Sequence, residues 1–159
     1  MDFTTNYLNI DLKNPLVPSA SPLSRSIDLS KQLEDAGASA LIMYSLFEEV
    51  VRGEEETMVR FLHQQDIGSS EAESFLPDHY DFNNSLDLYL ENVRALKEAL
   101  DIPVIASLNG ITPGGWLSHA KELQEAGADA LELNVYYLAA DPNETSQDVE
   151  NRYIDLLTD

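Results

Sequence analysis

Apolar positions along this chain recur with two alternating periods. Between Ile27 and Ala36, Leu29, Leu33 and Ala36 fall at helical spacing, and Gly37 stands where such a helix would end. Ala40-Leu41-Ile42-Met43-Tyr44 then reads as a buried strand, and the acidic stretch from Phe47 to Arg60 as a helix. Leu86–Leu100 carries Leu90, Val93, Leu96 and Leu100 along one helical face. Ile102–Leu108 is apolar and strand-like, 116–126 helical, and Ala130–Val135 a further strand. Upstream, Leu16–Ser21 is a short apolar run ending in small polar residues, expected to be the first strand, and Tyr153–Leu157 opens a last helix. Strands alternating with helices imply a parallel sheet with crossover helices.

A near-repeat sharpens that pattern. "LEDAGASAL" (Leu33–Leu41) returns as "LQEAGADAL" (Leu123–Leu131), each time where a helix passes through glycine into a strand. Glycine allows a tight helix end close to the sheet, so the repeat is structural. It suits a barrel or a doubly wound sheet equally. The alternation lapses over 61–85, a polar stretch broken by Gly68 and Pro77 and too long for a routine connection. It reads as a functional excursion or lid, with a mobile surface loop as the alternative.

Composition narrows the functions. The 159 residues suffice for one domain, and 43% are hydrophobic. No run is long enough to span a membrane, and the N-terminus lacks the apolar core of a secretory signal. Without cysteine there is no disulfide and no thiolate chemistry. The three histidines lack ligand spacing, so no metal site is expected. Twenty-nine acids against nine bases give a net charge of −20. Such a field disfavours nucleic acid and anionic lipid, and opposes phosphate-bearing ligands unless a local site overrides it. The charge also serves solubility. A cytoplasmic location is the expectation.

The candidate chemistry lies at the strand ends. In parallel barrels the site gathers where strands reach their C-termini. Here those ends offer Ser19-Ala20-Ser21, Tyr44-Ser45, Asn109-Gly110, then Asn134, Tyr136 and Tyr137. Ser19 and Ser21 read equally as turn caps, and Asn109-Gly110 as a turn. Asn134, inside an apolar strand, is expected to be a buried amide in need of a partner. The tyrosines read as packing aromatics or site residues. Glu132 should share a side with Asn134 and is read as a core carboxylate paired to lysine or arginine rather than as a catalytic acid.

Four segments together resemble the dihydroorotate dehydrogenase family, and most closely its dehydrogenase-like branch. They are "NPLVPSASPLS" (Asn14–Ser24), "GASALIMYSLFEE" (Gly37–Glu49), "YLENVRALKEALDIPVIASLNGITPGGW" (89–116) and "AGADALELNVYY" (126–137). The resemblance implies an FMN-binding (β/α)8 barrel that oxidises a C–C single bond of a small molecule. It assigns the flavin to Ser19, Ala20, Ser21, Ser45, Asn109 and Asn134. Tyr44 stands where the family has a lysine, and Tyr136 and Tyr137 occupy the region of its loop base, so these three are expected to face substrate. Four strands make an α/β N-terminal half of such a TIM barrel, since a whole one needs about 250 residues. A half-barrel would expose strand edges and inner-face positions such as Leu41, Met43, Ile105 and Leu133, according to register. It would therefore pair with itself or with a missing C-terminal half. The alternatives are a non-catalytic half-barrel assembly module and a flavin-free barrel lyase or synthase.

Overall fold

The computed structural model describes residues 1–65, 84–110, 115–135 and 137–158. The 61–85 excursion lies mostly outside them, as does Tyr136. The chain opens with a hairpin of β1 (Thr5–Tyr7) and β2 (Ile10–Leu12). Its two-residue turn holds Leu8 and Asn9 at φ 54 and 60. Positive φ at both central residues marks the turn that matches strand twist.

The centre is a parallel sheet of β3 (Leu41–Phe47), β4 (Val104–Gly110) and β5 (Ala130–Val135), in that order. Among the described residues five α-helices accompany it: α1 (Ile27–Asp35), α2 (Glu48–Gln65), α3 (Ser85–Ala99), α4 (Gly115–Glu125) and α5 (Ser146–Thr158). The expected first strand is not one. Leu16–Ser21 runs alongside β3 with two backbone bonds, Ser39 N–H to Leu16 O and Ile42 N–H to Pro18 O. Pro18 has no N–H to return, so a regular ladder cannot form there.

The repeated turns are near-copies. Ala38 N–H bonds Leu33 O at 3.0 Å and Gly37 N–H bonds Glu34 O at 2.9 Å. At the second turn, Ala128 N–H bonds Leu123 O at 3.1 Å and Gly127 N–H bonds Gln124 O at 3.0 Å. This paired pattern is the Schellman ending, with Gly37 and Gly127 at φ 105 and 103. Each turn drops the chain straight into its strand. Asp129 fixes the second entry, accepting from Lys97 Nζ and from Val104 N–H, both at 2.7 Å.

One sheet face packs under the helices. Leu41, Met43, Leu46, Val104, Ala106 and Leu108 join Tyr89, Val93 and Leu96 of α3 and Leu123 of α4 in the main core. Leu41, Met43 and Leu133, expected on an inner face, belong to this helix side instead, and only Ile105 of that group points the other way. Alternation along the strand decides this, because Val104 and Ala106 are taken by the helices. On the opposite face Ile105 packs with Ala40, Ile42 and Ala130 under Ile10 and Leu12 of the hairpin and Val17.

Candidate functional site

The hairpin covers only the start of that second face, and the rest is built in rows. Parallel register sets Ile42, Ile105 and Ala130 side by side at the strand beginnings. The next row holds Ser45, Ser107 and Glu132, and the last Phe47, Asn109 and Asn134. The face therefore grades from apolar to polar toward the C-terminal strand ends. In the middle row Ser107 Oγ donates to Glu132 Oε1 at 2.8 Å and lies 3.0 Å from Ser45 Oγ. Ser107 is wholly buried, while Ser45 and Glu132 are half-buried. No lysine or arginine among the described residues pairs with Glu132, contrary to expectation. A serine neighbour shields it by hydrogen bonding instead.

A bulge in β3 decides which side chain enters this row. Ile42 pairs with Ile105 but Ser45 pairs with Ser107, so two residues, Met43 and Tyr44, stand opposite one. The backbone groups freed there find side chains. Tyr44 N–H donates to Ser24 Oγ at 2.7 Å. Tyr89 Oη accepts from Ser107 N–H at 2.9 Å and donates to Ser107 O at 3.2 Å. Asn92 in turn holds Ser24 O at 3.0 Å. Burial raises the Tyr89 phenol far above its ordinary range, so it stays neutral and keeps both bonds.

The expected site residues thus divide. Ser45, Asn109 and Asn134 share the graded face. Asn109-Gly110 is strand rather than turn. Asn134 is exposed, not buried, because β5 is an edge strand and the residue sits near its end. Neither amide has a side-chain partner among the described residues. Tyr44 is turned to the helix side, edge-on to Tyr89 at 4.9 Å, with the Arg25 guanidinium 4.0 Å from its ring centre. Burial raises its pKa and Arg25 partly offsets this. Ser19 is exposed and Ala20 and Ser21 half-buried. Ser21 occupies the cap position of a 3₁₀ turn (Pro22–Arg25) without a side-chain cap bond, though its carbonyl accepts from Ser24 Oγ at 2.9 Å. Tyr137 is bound away from the row: its hydroxyl donates to Glu144, which also pairs with Arg152, and Arg152 lies 4.1 Å from its ring centre. The Glu144 bond raises the Tyr137 pKa, so this phenol is not primed as a base. Tyr136 lies outside the described residues.

Sequence reasoning passed over Ser107 and Tyr89. Ser107 is a small polar residue in an apolar run, the same signal that marked Asn134. Tyr89 gave no signal, since an aromatic on an amphipathic helix reads as packing.

No family model matches the chain. The catalytic subunit of dihydroorotate dehydrogenase B (NAD(+)) from Pyrococcus abyssi is 31% identical over 130 residues, 82% of this chain and 40% of the relative. This chain is dihydroorotate dehydrogenase-like. A protein named dihydroorotate dehydrogenase A (fumarate) from Aeropyrum pernix is 53% identical over 38 residues, 24% of this chain and 12% of the relative. The dihydroorotate dehydrogenase-like chain thus spans well under half the length of either. Among its described residues no helix is long and apolar enough to cross a membrane, and no acid or histidine cluster could hold a metal.

Proposed function

We propose that this chain forms the N-terminal half of an FMN-dependent (β/α)8 barrel that oxidises a C–C single bond of a small dihydroorotate-like molecule. The observation that carries the reading is the graded face, whose polar end coincides with the C-terminal ends of three parallel strands. Its donor set fits the ring of a flavin. Asn109 and Asn134 each offer an amide donor and acceptor without a side-chain partner among the described residues, and Ser45 adds a hydroxyl. None of the nine paired positions on this face is basic, so the flavin phosphate would take its partners elsewhere. Bound flavin supplies hydride acceptance, and the protein's part is orientation and electrostatics. Ser45, Asn109 and Asn134 would orient the ring, the backbone of Ser19–Ser21 would flank it, and the apolar row below would exclude water. The tyrosine at position 44, turned to the helix side, leaves the family lysine's place without a cation, so orotate should bind weakly.

The test is direct. FMN titration should quench flavin fluorescence, and orotate added to the flavin-loaded protein should produce no change at micromolar concentration. No FMN binding by a folded protein that includes the following half would reject the reading. Tight orotate binding would reject the inference about position 44.

A second reading is favoured by β5, whose outer edge pairs with no strand among the described residues, and by exposed Leu138 and Ile154 beyond it. On this reading the chain is an assembly module, and alone it self-associates and holds FMN poorly. Sedimentation with a flavin absorbance scan decides: a compact monomer carrying tightly bound FMN would overturn it.

A further inference from the structure

We propose that Glu132 fixes the sense of the Ser45–Ser107–Glu132 hydrogen-bond row, so that Ser45 meets the bound heterocycle only as an acceptor and selects a ligand N–H or O–H. The inference rests on the flavin-face reading above. A serine hydroxyl has one proton to give. Ser107 spends its proton on Glu132 Oε1 at 2.8 Å. The 3.0 Å contact between the two serine oxygens can then be made only by Ser45 donating to Ser107. Ser45 is left with lone pairs and no proton for anything above it. Glu132 thus acts through two hydroxyls as a positioning residue.

Three features keep the row from reorganising. Ser107 is wholly buried, so no bulk water offers it another acceptor. Its backbone N–H and carbonyl are both held by the Tyr89 hydroxyl, so its side chain cannot swing by shifting the strand. The bulge has carried Tyr44 to the helix side, so its phenol does not compete at this level. Without the carboxylate, the Ser107 proton could turn to Ser45, and Ser45 could turn its own toward the ligand. The row would then run backwards and present a donor.

Glutamine at 132 is ambiguous by design, since its amide can accept from Ser107 or donate to it; alanine removes the acceptor. FMN affinity is measured by fluorescence titration on the full protein for the parent, Ser45→Ala, Glu132→Ala, Glu132→Gln and the Ser45→Ala/Glu132→Ala double variant. Losing one ligand hydrogen bond should weaken FMN by roughly fivefold in Ser45→Ala. Glu132→Ala should lose a similar factor, and the double variant no more than Ser45→Ala alone, because both act on one bond. Glu132→Gln should fall between parent and Glu132→Ala. Independently of flavin, the infrared difference between parent and Glu132→Gln should show an ionised carboxylate band that shifts in Ser107→Ala. A carboxylic acid carbonyl band instead would overturn the fixed sense, whether or not FMN binds. An ionised band with FMN binding but additive losses would overturn only the acceptor role of Ser45. An ionised band with no FMN binding by the parent would defeat the flavin reading, and the acceptor role with it.

Discussion

The two faces of the central sheet obey different rules. Under the helices, Met43, Val104, Ala106, Leu108, Val93 and Leu96 are all fully buried, and the buried hydroxyl of Tyr89 is spent on the Ser107 backbone. The other face buries apolar side chains only where the hairpin covers it, and then turns polar row by row. The first face is built for stability. The second gives up burial toward the strand ends, and the amides of Asn109 and Asn134 stand there without side-chain partners among the described residues. Unpartnered polar groups are affordable only where water or a ligand can reach them. The contrast supports the proposed site more than any single residue does.

The contrast can be broken most directly at the helix side. Leu108→Ala removes a wholly buried side chain and should cost about 2–5 kcal/mol in urea unfolding. A loss no greater than that of an exposed substitution would mean the helix-covered face is not the source of stability.

Tyr89→Phe attacks the seam between the faces. It takes the Tyr89 hydroxyl away from the buried Ser107 N–H and carbonyl, and should cost about 1–3 kcal/mol. It should also change the alkaline limb of stability. Burial raises the Tyr89 pKa in the folded state, so its contribution is full below the unfolded tyrosine value near ~10 and is lost as pH rises above it. The parent should therefore lose stability above that pH more steeply than Tyr89→Phe. Equal slopes would show that Tyr89 is not the group responsible.

The near-repeat provides an internal control at the sheet's entry. Gly37→Ala and Gly127→Ala each force a side chain to positive φ and should cost about 1–2 kcal/mol. The added methyl at 37 meets nothing, and at 127 it meets only Lys97 Cγ at an ordinary 3.6 Å. The two losses should therefore be similar, and a difference well beyond their sum of errors would show that the turns are not equivalent.

Smallest of all is the expected stability change at Asn134. Because it is exposed, Asn134→Ala should move stability by less than about 0.5 kcal/mol. FMN affinity should nevertheless fall by the worth of one hydrogen bond, about 0.5–1.5 kcal/mol. A large loss of stability, or unchanged FMN affinity, would place the amide in the scaffold rather than the site.

The helices and the three parallel strands were legible in the sequence through local periodicity, sharpened by glycine stops after α1 and α4, although α5 begins at Ser146 rather than near Tyr153. The Leu33–Leu41 and Leu123–Leu131 repeat foretold two turns whose hydrogen bonds match pair for pair. The common side of Glu132 and Asn134 followed from alternation alone, as the register bears out. The hairpin was not legible, since its turn carries Leu8 rather than glycine at positive φ. Nor was the side to which Tyr44 points. Periodicity says that Tyr44 and Ser45 face opposite ways, but not which of them faces the site. That depends on an extra residue in β3, and the extra residue persists because Ser24 and Tyr89, 20 and 18 positions from their partners, satisfy the backbone groups it frees. Local pattern fixes what one element can do. Which donors meet across elements is a property of the folded packing, and here that packing alone decides that serine, not tyrosine, joins Ser107 and Glu132.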